Sequence, residues 1–343
     1  MHAASPSTSS GFSPRTIGIA AAVVTVLVWT SFILIARASS DPGRGGTLNP
    51  FDIAFCRIVG ASLVLLPWGA WLSYRDRERG LHQSSLLGVS PLSWRITAQV
   101  GLFGGLLYAL VAYQGFVFAP AAHAAVLLPG SLPLWTALLA ALILHDHITL
   151  ARALGLGLIV LGDLLVGGKS LIGAFDGGEV WKGDLLFMVG TVSWATYSVL
   201  ARRHHLDAVR ATIAITAFAF VTFVPVYTVL VLGHFVQGQV FTAPLGELLF
   251  QAAFQGWGSV VVSGITFTKM IQYFGPVRST MITALVPGLS AMGAVLLLGE
   301  PLYWNLAAGL VLVTLGILFG VRAAAPIVNK TIAAHASSTG AKG

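Results

Sequence analysis

The sequence predicts an all-α polytopic membrane protein with ten transmembrane helices, arranged as two inverted five-helix repeats. Three observations predict it. Charge is scarce: 19 Lys or Arg and 12 Asp or Glu make up 9 % of 343 residues, against 56 % hydrophobic residues. Mean hydropathy is +0.85, and a soluble domain carries about a quarter charged residues. The few charges fall between apolar runs of membrane-spanning length. Two sequence blocks recur, once in each half.

So little charge cannot cover the surface of a water-soluble fold of this size, and so much apolar content does not stay disordered. The single cysteine, Cys56, allows no intramolecular disulfide and no Cys-based metal cluster. Nucleic acid is not an expected partner, because the basic residues sit between apolar runs and form no basic face.

A spanning helix needs about 20 mostly apolar residues to cross a hydrocarbon core roughly 30 Å thick. The first span is 16–36, between Arg15 and Arg37. Its length and its nine successors argue for an uncleaved helix rather than a signal peptide. The second is 58–74, between Arg57 and Arg75. Residues 96–145 carry no formal charge for 50 positions, enough for two spans, and Pro120 in Phe118-Ala119-Pro120-Ala121 marks the turn between them. The fifth is 150–168. The second half repeats the rhythm at 185–201, 211–232, 248–268, 279–299 and 302–321. Residues 39–49 and 75–91 read as loops, and 167–184 as the joint between halves. The domains expected are a disordered cytoplasmic tail at 1–15, one repeat at 16–167, a second at 183–322 and a cytoplasmic tail at 323–343.

With ten spans both termini share one side. The loops of that side hold 14 of the 19 Lys and Arg residues; the other side holds Arg37, Arg44, Arg57, Lys169 and Lys182. The positive-inside rule puts the 14 in the cytoplasm, in a multi-pass protein of the cell inner membrane. This accounts for the basic residues, and no ligand role is assigned to them.

Trp29–Arg37 and Trp194–Arg202 align at an offset of 165. Pro133–Leu164 and Pro287–Leu318 align at an offset of 154, with 11 of 32 positions identical, including Pro133/Pro287, Gly155/Gly309 and Gly162/Gly316. Asp146 falls on Glu300. Five spans per half make the second half enter the membrane upside down, and inverted repeats of this kind give many secondary transporters two exchangeable conformations.

With the Ala119-Pro120-Ala121 turn and Gly299-Glu300 added, these blocks resemble the EamA-type drug/metabolite transporter superfamily, ten helices built from two EamA repeats. The likeness covers most of the chain. The family pattern ends the fourth helix of a repeat in Gly-Glu; the first half has His145-Asp146 instead. Characterised relatives export amino acids or other metabolites, and include sugar-phosphate and nucleotide-sugar carriers. The resemblance implies a secondary transporter of a small metabolite, an amino acid or related compound, in the export direction and by alternating access. The rival readings are an intramembrane lipid-modifying enzyme and a non-transporting scaffold.

Polar groups are costly in lipid, so those inside spans face a cavity or a neighbouring helix. Gln251, Gln255, Ser259 and Thr266 share one face of the eighth span at helical spacing, with Tyr108 on the related third span. Trp29 and Trp194 lie deep in their spans rather than at the interface, with Ser31 and Tyr197 within about a turn. His123 is a further candidate for the cavity wall. Helix packing is the alternative for each. Asp163, a carboxylate within a span, is the candidate for coupling to protons or ions. Pro133 and Pro287 suggest paired kinks. His145-Asp146-His147 does not converge on one helix face and is not read as a metal site. No catalytic constellation and no cofactor motif is read, so the expected partners are a small-molecule substrate and the lipid bilayer.

Overall fold

In hydrocarbon a backbone amide must find its partner within its own segment, so an apolar chain crosses as helix. The computed structural model describes residues 14–44, 46–81 and 84–322; the tails expected at 1–15 and 323–343 lie almost wholly outside them. Eight described helices are long and apolar enough to cross a membrane: α1 (Arg15–Ser40), α2 (Pro50–Glu78), α3 (Trp94–Phe118), α4 (Ala121–Leu144), α5 (Leu150–Asp176), α6 (Val180–Arg203), α7 (Ala208–Leu232) and α8 (Leu245–Met270). Two shorter apolar helices, α9 (Leu285–Leu298) and α10 (Trp304–Gly320), complete the ten.

Local chemistry sets the ends. The Asn49 side chain accepts from the Phe51 and Asp52 amides at 2.8 and 3.0 Å, while Asp52 accepts from the Asn49 amide at 3.0 Å. This reciprocal cap, with Pro50 at the start, begins α2 eight residues before the expected 58. The expected boundary is therefore corrected: a charge at the edge of an apolar run marked the span, whereas capping marks the helix. The joint between halves also shortens, because α6 starts at Val180. The α3–α4 turn falls at Ala119–Pro120 as the proline requires.

The repeat is visible in the geometry. His145 ends α4 in left-handed backbone (φ 58°) with its amide on the Ala140 carbonyl, and Gly299 ends α9 in the same way (φ 65°) on Ala294. Those positions are related by 154, and glycine meets that backbone requirement without the strain a Cβ brings. α4 is interrupted at Ser131 and α9 is preceded by a break at Ala284, each just before its proline. α3 and α8 both carry π-helical segments, Leu102–Leu107 and Ala252–Val262, at related places.

α5 and α10 pack antiparallel along their glycines. A Cβ on Gly155 would stand 2.7 Å from the Gly316 carbonyl oxygen, and one on Gly316 would stand 2.5 Å from that of Gly155. Gly162 and Gly309 oppose each other reciprocally at 2.7 and 2.9 Å. Each repeat's final helix thus meets its counterpart head to tail, the signature of a two-fold axis running across the helices.

Candidate functional site

A cavity of about 560 Å³ lies at the seam of the halves, within the range of small-molecule sites. Residues of α1–α4 and α6–α9 line it; among the described residues α5 and α10 contribute none. It reaches from Ile33, Arg57 and Ala109 to the loop ahead of α7, where Leu206 and Asp207 stand at its mouth.

Five of the expected residues line it: Trp29, Tyr108, Trp194, Tyr197 and Ser259. The Trp194 ring lies 4.9 Å from Tyr108 and 5.2 Å from Tyr197, centroid to centroid, while Trp29 packs on Phe267 at 5.1 Å. The two repeat-related tryptophans therefore flank one space. Gly104 and Gly105 of α3 open its wall, and both also clear room for α7, since a Cβ there would meet Ile215 within 3.0 Å.

The other candidates are placed elsewhere. Ser31 is half-buried and outside the lining. Gln251 is buried and donates to Ser39 Oγ at 2.8 Å; Gln255 is buried and accepts from the Tyr113 hydroxyl at 2.9 Å. Thr266 accepts from Thr25 at 2.9 Å and donates to the Val262 carbonyl. The stripe divides because a π-helical stretch shifts the facing of residues relative to 3.6 per turn. His123 is buried against Asp184, Nδ1 to Oδ1 2.7 Å, and Asp184 also accepts from Ser170. Asp163 is buried beside α4, where Ser131 Oγ donates to it at 2.8 Å and its Oδ2 has no partner among the described residues. Neither lines the cavity.

Arg57 is the residue the sequence reading missed. Counted among the basic residues of loops, it stands inside α2, 9 % exposed, on the cavity wall. The signal was present: the Asn49-Pro50-x-Asp52 cap sets the helix start two turns upstream.

Ion pairs bracket the cavity, and they are exchanged between repeats. Arg37 of α1 binds Glu300 after α9, Nε to Oε1 2.9 Å; Arg202 of α6 binds Asp146 after α4, Nη2 to Oδ2 2.6 Å. The first pair is only 13 % and 7 % exposed, the second 58 % and 30 %. Arg37 also donates to the Phe116 carbonyl at 2.5 Å, and Glu300 accepts the Ala121 amide at 2.8 Å. The Glu300 face thus ties α1, α3, α4 and α9 into one cluster, while the Asp146 face holds its pair open to solvent beside the mouth.

The comparisons agree with this architecture. The model of the EamA-like transporter family matches residues 16–168 and again 181–322. The chain is 27 % identical over 237 residues to the "Uncharacterized transporter YyaM" of Bacillus subtilis (strain 168), covering 69 % of this chain and 75 % of that one. It is 28 % identical over 203 residues to an "Uncharacterized transporter" of Archaeoglobus fulgidus, covering 58 % and 62 %. A solved crystal structure overlays with a TM-score of 0.52 and 20 % identity, across 91 % of this chain and 98 % of that chain, a likeness of fold. Two matched copies, spanning both halves of a ten-helix membrane protein, place the chain in the EamA-like transporter family.

Proposed function

We propose that this transporter carries a small organic metabolite across the inner membrane by alternating access, in the export direction, with both termini in the cytoplasm. The halves, 16–167 and 183–322, move against each other as units. The observation that carries this reading is the pairing of a cavity at the seam with exchanged ion pairs at its two faces. One face is clustered and buried, and its repeat-related counterpart is open. Alike halves make the mirror conformation accessible: the Arg37–Glu300 cluster parts while Arg202 and Asp146 take up the corresponding contacts. Amino acids and related acids fit the cavity's volume, and its paired aromatic rings suit an apolar body.

Coupling belongs to the same proposal, with Asp163 as the proton- or ion-linked carboxylate. Asp163→Asn is then expected to keep exchange of internal for external substrate and to lose accumulation driven by a proton gradient.

The test is counterflow in liposomes holding the full chain, with amino acids and organic acids tried in turn. Exchange above protein-free liposomes supports the carrier. No exchange across the panel, with chemical conversion of the lipid, favours the enzyme; neither exchange nor conversion favours the scaffold.

A further inference from the structure

Arg57 stands at the closed end of the cavity with its charge unmatched. Nη1 donates to Ser259 Oγ at 2.9 Å and lies 3.5 Å from both the Tyr113 hydroxyl and the Gln255 carbonyl. The guanidinium carbon is 5.7 Å from the centre of the Phe32 ring. All these neighbours are neutral. Among the described residues Arg37, Arg44, Arg202 and Arg210 each pair with a carboxylate, and Arg57 pairs with none. Tyr113 spends its own proton on Gln255 Oε1 at 2.9 Å, and the buried Gln255 Nε2 has no acceptor among the described residues. The cluster is therefore rich in donors and short of negative charge. A cation buried at membrane depth is expensive and calls for a counter-charge.

We propose that Arg57 anchors the anionic group of the substrate, so that the cavity takes an organic monocarboxylate with an apolar or aromatic body. This rests on the reading of the cavity as the transport site. Arg57 is the one cation of the described lining, which matches one negative charge and leaves a dianionic phosphate half-compensated. Asp207 is the one carboxylate of that lining; it stands at the mouth and accepts the Arg210 amide at 3.0 Å as a helix cap. Among the described residues no carboxylate faces Arg57 across the cavity to hold an ammonium, so a simple acid is preferred over the corresponding amino acid. A guanidinium accepts a carboxylate in bidentate fashion, and Trp29, Tyr108, Trp194 and Tyr197 supply the apolar walls.

The test uses the full chain in lipid nanodiscs, titrated with 3-phenylpropanoate, its amide, 3-phenylpropylamine, phenylalanine and phenyl phosphate, with binding followed by calorimetry. The acid is expected to bind about tenfold more tightly than the amide, as one charge-assisted contact provides, and more tightly than the amine, the amino acid and the phosphate. Arg57→Gln removes this preference, and Arg57→Lys keeps part of it. The proposal falls if the acid has no advantage over the amide or binds more weakly than any other probe. It falls equally if no probe binds, or if R57Q keeps the preference. Should R57Q fail to fold, the wild-type ranking decides. Counterflow in liposomes separates the two readings: binding of the acid without flux keeps the anion site and removes the carrier, whereas flux of the amine or amide without preference for the acid keeps the carrier and removes the anion site.

Discussion

At the start of α2, the side chain of Asn49 satisfies two amides that the helix leaves without partners. Asn49→Ala is expected to cost about 1 kcal/mol of stability, read as a lower midpoint of thermal unfolding in detergent; an unchanged midpoint counts against the cap as the fixing point. The same cap carries Arg57 into the membrane. A buried pair responds more strongly. His123→Ala leaves the Asp184 carboxylate, 6 % exposed, with the Ser170 hydroxyl as its remaining partner among the described residues. Leaving a buried acceptor without its hydrogen-bond partner costs roughly 1–3 kcal/mol, and more for a charged group, and unfolding of this variant measures it directly. His123 was legible as a polar group within a span. Asp184 as its partner was not, because 61 residues of sequence separate two side chains that only packing brings together.

Helix number and order were readable because lipid imposes length and apolarity on every span. Register inside a span was harder. The Gln251–Gln255–Ser259–Thr266 stripe assumes 3.6 residues per turn, and the π-helical path of Ala252–Val262 turns Ser259 to the cavity while Gln255 stays behind Arg57. Nothing local in the sequence announces that insertion. The α5–α10 contact, by contrast, follows from glycines already visible in the repeat. Gly162→Ala puts a Cβ 2.6 Å from Val313 Cγ2 and 2.7 Å from the Gly309 carbonyl oxygen, whereas Gly157→Ala meets nothing within 4 Å among the described residues. Overpacking costs about 1–3 kcal/mol, so Gly162→Ala is expected to lower the unfolding midpoint and Gly157→Ala to leave it in place or raise it. Equal effects would contradict a close helix seam.

Across the whole molecule, the two repeats close one face through Arg37, Glu300, Phe116 and Ala121 and leave the other open at Leu206 and Asp207. The measurement that tests this most directly is labelling of Thr212→Cys, a position on the cavity wall, by a membrane-impermeant thiol reagent in oriented vesicles. Cys56, the single native cysteine, is replaced by alanine. With Glu300 present, labelling from the cytoplasmic side is expected to be about tenfold faster than from outside, and Glu300→Ala to raise the outside rate several-fold as the closed face is released. Equal labelling from both sides with the cluster intact, or an outside rate unmoved by Glu300→Ala, would contradict a carrier whose two faces open in turn.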